Sequence, residues 1–232
     1  MATAALRFNG RATRSPSWIP CRNAQTWPTP EGEQRRCPPP SSTYGFQKLA
    51  TEYFALGAWE QHRLPYTIIR PFNCVGIGER RALRDSAILS GNVKLAMSHV
   101  VPDIVQKVLK GQDPLHVLGD GTQVRHYTYG GDLARGIRLC AESEKALNED
   151  FNISTATSTT VLQLAQLVWR KVRGDAPFRT VSDPAYEHDV QMRVPDVCKA
   201  RDLLGFEATT TLDQMLDEVI PWVREEIEAG RI

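Results

Sequence analysis

The sequence predicts an α/β fold, on three observations. Short runs rich in β-branched residues alternate with longer stretches of helical period. Glycine, proline or a hydroxyl residue separates most of these runs from the next. Two Thr-x-x-Gln patterns in the second half each stand before an amphipathic stretch, as a capping box does. Strands and helices that alternate in this way argue for layered α/β architecture.

The elements follow in order. Tyr44 to Gln61 places Phe46, Leu49, Tyr53, Phe54 and Trp59 mostly along one helical face. YTIIR, 66 to 70, is a short buried-strand pattern closed by Pro71. A helix is expected from about Pro102 to Lys110, with proline tolerated in its first turn. LHVL at 115–118 and VRHYTY at 124–129 flank GDGTQ, which reads as a hairpin or a strand–loop–strand. DLARGIRLCAES is a helix that Asp132 is placed to cap, and DFNIS is another strand. Thr160 to Gln163 opens VLQLAQLVWRKV. Thr211 to Gln214 opens LDQMLDEVIPWVREEI, whose apolar face is Leu212, Met215, Leu216, Val219 and Val223. Pro221 is expected to kink or split that last helix.

The first 40 residues differ. Through Pro30 they carry four arginines and no acid, and prolines follow at Pro38, Pro39 and Pro40. The composition resembles a transit peptide, but no amphipathic helical pattern accompanies it, so an irregular arm over 1–40 is expected.

Composition bounds the function. The chain has 232 residues with a net charge of +1, which gives no electrostatic reason to expect nucleic acid or an anionic membrane as partner. No apolar run reaches the ~20 residues needed to cross a bilayer. Cys21, Cys37, Cys74, Cys140 and Cys198 are odd in number and well separated, which suits free thiols in a reducing, cytoplasmic compartment. The five histidines are scattered and suggest no metal site.

Chemistry is suggested first by SSTYGFQKLATEYF. Tyr44 and Lys48 lie four residues apart, so on a helix they share a face. An ammonium beside a phenol favours the phenolate and lowers its pKa from about 10. Such a phenol can exchange a proton with a substrate hydroxyl while hydride leaves the same carbon. After YTIIR, Pro71-Phe72-Asn73 places an amide at a strand's carboxyl end, where open α/β sheets bind ligands. Arg125 follows the GDGTQ turn, and Arg193 precedes a helical stretch; a guanidinium fork suits a diphosphate.

Taken in order, these stretches resemble the NAD-dependent epimerases and dehydratases of nucleotide sugars, the extended short-chain dehydrogenase/reductases. TPEGEQRRCPPPSSTYGFQKLATEYF, LPYTIIRPFNCVGIGE, VVPDIVQKVLKGQDPLHVLGDGTQVRHYTYGGDLARGI, FNIST and RVPDVCKARDLLGFEAT carry the resemblance, over about residues 26 to 232. It implies a partial doubly wound (Rossmann-like) parallel sheet with a smaller α/β substrate-binding lobe. The expected boundaries are an arm at 1–40, the YxxxK-bearing part of the Rossmann-like domain at 41–95, and mainly the substrate lobe at 96–232. It implies Tyr44 as general acid/base, Lys48 lowering its pKa and holding the nicotinamide ribose, Asn73 near the sugar-nucleotide phosphates, and Arg125 and Arg193 on the diphosphate. The implied cofactor is NAD, or NADP, and the implied substrate a nucleotide-diphosphate sugar. It also implies a homodimer built through the YxxxK helix, with Phe46, Leu49 and Phe54 either at that interface or in the core.

The chain departs from the family in several places. It has no Gly-x-x-Gly-x-x-Gly turn opening a helix. Gly76-Ile77-Gly78 has Arg81 at its third position, and Gly119-Asp120-Gly121 sits in a loop. The hydroxyl residue that precedes the tyrosine in the family falls near Ser15, Ser17 or Ile19 and is left unassigned. His126 stands where the family often has an acid. Glu31 and Glu52 make no clear acid pair for dehydration. The expectation is therefore the carboxyl-terminal two-thirds of such an enzyme. The alternatives are a sugar-nucleotide-binding module without turnover and a truncated fragment.

Overall fold

A computed structural model describes residues 27–33, 40, 43–79, 89–90, 93–94, 99–185 and 190–232, with backbone alone at Tyr44, 89–90 and 93–94. Most of the expected arm, with Ser15, Ser17, Ile19, Cys21, Cys37 and Arg81, lies outside the described residues. In chain order the elements are α1 (Thr43–His62), β1 (Thr67–Pro71), β2 (Cys74–Val75), β3 (Leu89–Ser90), β4 (Val93–Lys94) and α2 (Val100–Leu109). Next come β5 (Leu115–Leu118), β6 (Val124–Arg125), β7 (Thr128–Tyr129), α3 (Gly130–Glu142) and β8 (Glu149–Ile153). The chain ends with β9 (Thr159–Thr160), α4 (Val161–Arg173), β10 (Thr180–Asp183), α5 (Cys198–Leu204) and α6 (Leu212–Glu228). These elements divide into two units. One comprises Met1–Cys74, Arg125–Ser158 and Met192–Thr209; the other comprises Val75–Val124, Thr159–Gln191 and Thr210–Ile232.

The first unit is organised by the parallel pair β1–β8, in register from Thr67 opposite Glu149 to Pro71 opposite Ile153. Buried Asn148, at φ 60°, sets that register. Its N–H donates to the Tyr66 carbonyl at 2.6 Å, and its Oδ1 accepts the Tyr66 N–H at 3.3 Å. The Thr67 hydroxyl adds a bond to the Ala146 carbonyl at 2.6 Å. One face of the pair is apolar: Ile69, Phe151 and Ile153 pack with Leu133 and Cys140 of α3, with Ala200 of α5 and with Phe206. Gly136 lets α3 lie close, since a Cβ there would meet Ile153 Cγ2 at 2.5 Å and Phe206 Cε2 at 2.9 Å.

The other face carries Ile68, Arg70, Asp150 and Asn152, by the alternation of the strand. Here α1 packs through Ala55, Leu56 and Trp59 on Tyr66 and Ile68. The helix ends where Arg63 turns left-handed at φ 54°, with its N–H on the Trp59 carbonyl and its guanidinium over the Trp59 ring at 5.4 Å. Arg70, 2% exposed, donates from Nε and Nη2 to both oxygens of Glu52 and also pairs with Asp150 at 2.7 Å. Asp150 in turn accepts from Lys199 at 2.6 Å, and Lys199 reaches Glu149 at 2.9 Å. A chain of alternating acidic and basic side chains thus ties α1, β1, β8 and α5 together inside the fold. Burial pushes the Glu52 carboxyl up to about 8 against the pull of Arg70, and lowers the Arg70 guanidinium to about 10.

Asp132 does not cap α3. The N-cap is Tyr129, and Asp132 lies buried in the first turn, where it accepts from Arg135 at 2.7 Å and from the Thr209 N–H at 3.1 Å. Its use is tertiary: it fastens the chain beyond α5 to α3.

In the second unit α2 is buried nearly all round, against α4, α6 and β5. Both expected capping boxes are present, at Thr160 with Gln163 and at Thr211 with Gln214. Lys171 of α4 bridges Asp213 and Asp217 of α6 at 3.0 and 2.8 Å. α6 runs unbroken through Pro221. Pro221 and Asp217, whose carbonyl it cannot bond, both lie on the exposed side of the helix. The GDGTQ segment is a strand–loop–strand and not a hairpin. β5 pairs in parallel with β10, Leu115 opposite Thr180, and the Gly119 N–H extends the pair to the Asp183 carbonyl at 2.9 Å. Left-handed Gly119 and Gly121 then turn the chain away.

Two predictions follow from the buried charges. Arg70→Met leaves Glu52 and Asp150 buried without the guanidinium between them and is expected to cost about 3–5 kcal/mol, read from urea unfolding. Folded Glu52 holds its proton to higher pH than the unfolded chain does, so its contribution is full below 4.5 and is lost as pH rises through about 8. Wild-type stability therefore falls between about pH 5 and about pH 8.5, and Glu52→Gln flattens that fall in the same assay.

Candidate functional site

The site builds up at the carboxyl ends of β1 and β8. Asn73 follows β1 at φ 33°, a left-handed conformation that asparagine tolerates better than most residues. Its carbonyl accepts the Thr128 N–H at 3.0 Å, which fixes the strand after Arg125 beside it. Its side-chain Oδ1 is buried and has no hydrogen-bond partner among the described residues. A buried acceptor left open in this way suits a ligand donor or an ordered water.

Arg125, itself buried, leads into a segment bonded to the residues after β8. His126 Nδ1 meets the Thr155 carbonyl at 2.8 Å, and the Thr155 N–H donates to the Thr128 hydroxyl at 3.1 Å. The Arg193 segment is tied to the same strand end. The Val194 carbonyl accepts the Thr29 N–H at 2.8 Å, and the Asp196 N–H donates back to Thr29 at 2.9 Å. Asn152 of β8 then donates from Nδ2 to the carbonyls of Thr29 and Asp196, at 3.2 and 3.0 Å. Asn73, Arg125 and Arg193 are thus brought onto neighbouring segments at one end of one parallel pair.

Helix α1 runs antiparallel to β1. Ala55 and Trp59 pack at the level of Tyr66 and Ile68, and Glu52 meets Arg70. Four helical residues rise about 6 Å, close to two strand residues. Continued from Glu52, the same stripe sets Lys48 level with Phe72 and the backbone of Tyr44 just beyond, at the strand's carboxyl end. Lys48 is half-buried; the Tyr44 side chain lies outside the described residues.

The two acids weighed for dehydration are both engaged by the chain itself. Glu52 holds Arg70, and Glu31 accepts the Asn152 N–H at 2.8 Å, with burial raising its carboxyl above the usual range. The Glu52–Arg70–Asp150–Lys199 chain was not visible as a unit in the sequence, because its four members lie on four separate elements. The one local signal is Glu52, one helical turn beyond Lys48. Among the described residues, no group of three or more His, Cys, Asp and Glu is placed to hold a metal.

The fit to a nicotinamide cofactor is partial. Lys48 is half-buried on α1, and no helix in the sequence opens on the glycine-rich turn that cradles a pyrophosphate.

Comparison with known proteins identifies the family and the fold. Residues 22–154, more than half of the chain, match the NAD dependent epimerase/dehydratase family. The UDP-N-acetyl-alpha-D-glucosaminuronate decarboxylase of Bacillus cytotoxicus is 28% identical over 188 residues, covering 79% of this chain and 53% of that protein. The solved UDP-glucose 4-epimerase of Thermotoga maritima, with UDP-glucose, is 30% identical with a TM-score of 0.70, over 89% of this chain and 60% of its own. MoeE5, solved with UDP-glucuronic acid and NAD, is 27% identical with a TM-score of 0.64, over 82% of this chain and 58% of its own. The chain therefore spans somewhat more than half the length of these three proteins. With a parallel α/β pair whose carboxyl ends gather an amide and two guanidinium-bearing segments, and with this match over most of its length, the chain belongs to the NAD dependent epimerase/dehydratase family.

Proposed function

We propose that this chain binds a nucleotide-diphosphate sugar and supplies the proton-transfer residues for its NAD-dependent epimerisation, dehydration or decarboxylation. The observation that carries this reading is the gathering of the Asn73, Arg125 and Arg193 segments at the carboxyl ends of β1 and β8, beside the α1 turn that holds Tyr44 and Lys48. Arg125 and Arg193 grip the diphosphate, each through charge-assisted bonds. Asn73 Oδ1 accepts from the sugar-nucleotide, and Lys48 holds the nicotinamide ribose. The Lys48 ammonium favours the Tyr44 phenolate, which takes the proton of the sugar hydroxyl. Bound NAD, or NADP, would accept the hydride from that carbon. In a second reading, the chain binds the sugar nucleotide through the Asn73, Arg125 and Arg193 segments without converting it.

Titration calorimetry with UDP and with UDP-glucuronic acid separates binding from turnover. Both ligands are expected to bind, and Arg125→Ala or Arg193→Ala to weaken them by about 10- to 100-fold. Tyr44→Phe is expected to leave UDP binding intact and to lower turnover in the presence of NAD by about 100-fold or more. Binding without any wild-type turnover favours the second reading; a folded chain silent to both ligands removes both.

We also infer a homodimer through α1. Phe46, Tyr53 and Phe54 are 57%, 52% and 78% exposed, so they form a surface stripe and no part of this chain's core. Phe54→Glu is expected to convert a dimer to a monomer in sedimentation velocity; a wild-type monomer would sink this assignment. Cys140 and Cys198 form no disulfide among the described residues, which supports a reducing, cytoplasmic setting. Among the described residues no helix is long and apolar enough to cross a membrane.

A further inference from the structure

His126, which stands where the family often carries an acid, is 2% exposed and has both ring nitrogens engaged. Nδ1 lies 2.8 Å from the Thr155 carbonyl oxygen. A carbonyl only accepts, so Nδ1 carries the proton. Burial lowers the pKa of the imidazole, which keeps the ring neutral. Nε2 of that tautomer is then an acceptor, and it lies 2.8 Å from Ser158 Oγ. The Ser158 hydroxyl therefore donates its proton to the imidazole.

The support around this pair is built. The Thr155 N–H donates to Thr128 Oγ1 at 3.1 Å, Thr128 Oγ1 lies 3.3 Å from Ser154 Oγ, and the Thr157 N–H donates to Thr155 Oγ1 at 3.2 Å. These bonds hold the loop that carries Ser158 against the segment between β6 and β7 that carries His126. The base is buried while Ser158 is exposed, so an incoming electrophile has access to the hydroxyl. A hydroxyl on a neutral imidazole whose far nitrogen is oriented by an acceptor is the arrangement of an activated serine nucleophile.

We propose that Ser158 is a nucleophilic serine, with His126 as its general base and the Thr155 carbonyl as the group that sets the tautomer, and that it accepts an acyl or phosphoryl group from an activated ester. In the step, Oγ bonds the carbonyl carbon or phosphorus and the Oγ proton passes to Nε2. The bond to the leaving group breaks, and the leaving group departs with the proton that His126 returns. This site is independent of the sugar-nucleotide reading and stands or falls by itself.

The test treats the full chain with a fluorophosphonate and maps adducts by peptide mass spectrometry. Oγ–P forms, P–F breaks, and HF is the by-product. Ser182 is the internal reference: it is exposed, but its hydroxyl donates to the Gly119 carbonyl, which cannot take up a proton. Ser158 is expected to label about 100-fold or more faster than Ser182, the range a positioned general base supplies. His126→Asn keeps a donor toward Thr155, removes Nε2, and is expected to erase that advantage while circular dichroism shows a folded chain. Ser158→Cys gives a second measure without touching His126: the introduced thiol is expected to react with iodoacetamide faster than the exposed thiols of Cys74 and Cys198. A folded wild type whose Ser158 labels no faster than Ser182, or an introduced thiol no more reactive than those two, overturns the proposal.

Discussion

One buried guanidinium organises the first unit. Arg70 sits inside the fold with Glu52 of α1 on one side and Asp150 of β8 on the other. An isolated charge in that position would carry a large desolvation cost, which only close, well-oriented counter-charges offset. The same bonds dictate which turn of α1 faces β1, because a one-turn slip would strand all three groups. Lys199 extends the constraint to α5, so two helices are referenced to one strand pair.

From that reference the carboxyl ends of β1 and β8 become the place where distant parts of the sequence meet. Residues 29–31, 73, 125–128, 152–155 and 193–196 converge there, and most of the bonds that hold them involve backbone groups. Such bonds fix a segment's position without dictating its side chains. His126 fits into this arrangement through its ring, which meets the Thr155 carbonyl and the Ser158 hydroxyl. Asn73 shows the complementary case, a backbone carbonyl in use and a side-chain oxygen left open.

The second unit rests on different physics. Its helices are secured locally by two reciprocal capping boxes and laterally by apolar packing around α2. Burial of Asp103 and Lys107 on that helix is made tolerable by their mutual pairing at 3.0 Å and by the Lys107 bond to the His116 carbonyl. Local and tertiary preferences agree there, which is the condition under which a sequence reads most clearly.

The helices and longer strands were legible because their causes are local. A Thr-x-x-Gln box, a β-branched run or a 3.6-residue apolar period acts within one or two turns of chain. The YxxxK spacing and the Asn73 turn were legible for the same reason. Tertiary structure decided what local rules leave open. It made Asp132 a clamp on Thr209 where the sequence suggested a cap, because its buried carboxylate meets Arg135 and the Thr209 N–H there. It paired β5 with β10, sixty-odd residues on, where the glycines left a hairpin and a strand–loop–strand both open; a turn sequence fixes a bend and says nothing of which strand lies alongside. It also assembled Glu52, Arg70, Asp150 and Lys199, and His126 with Ser158, from separate elements. Buried charges and hydrogen bonds act over ångströms of space, and the sequence records only distance along the chain.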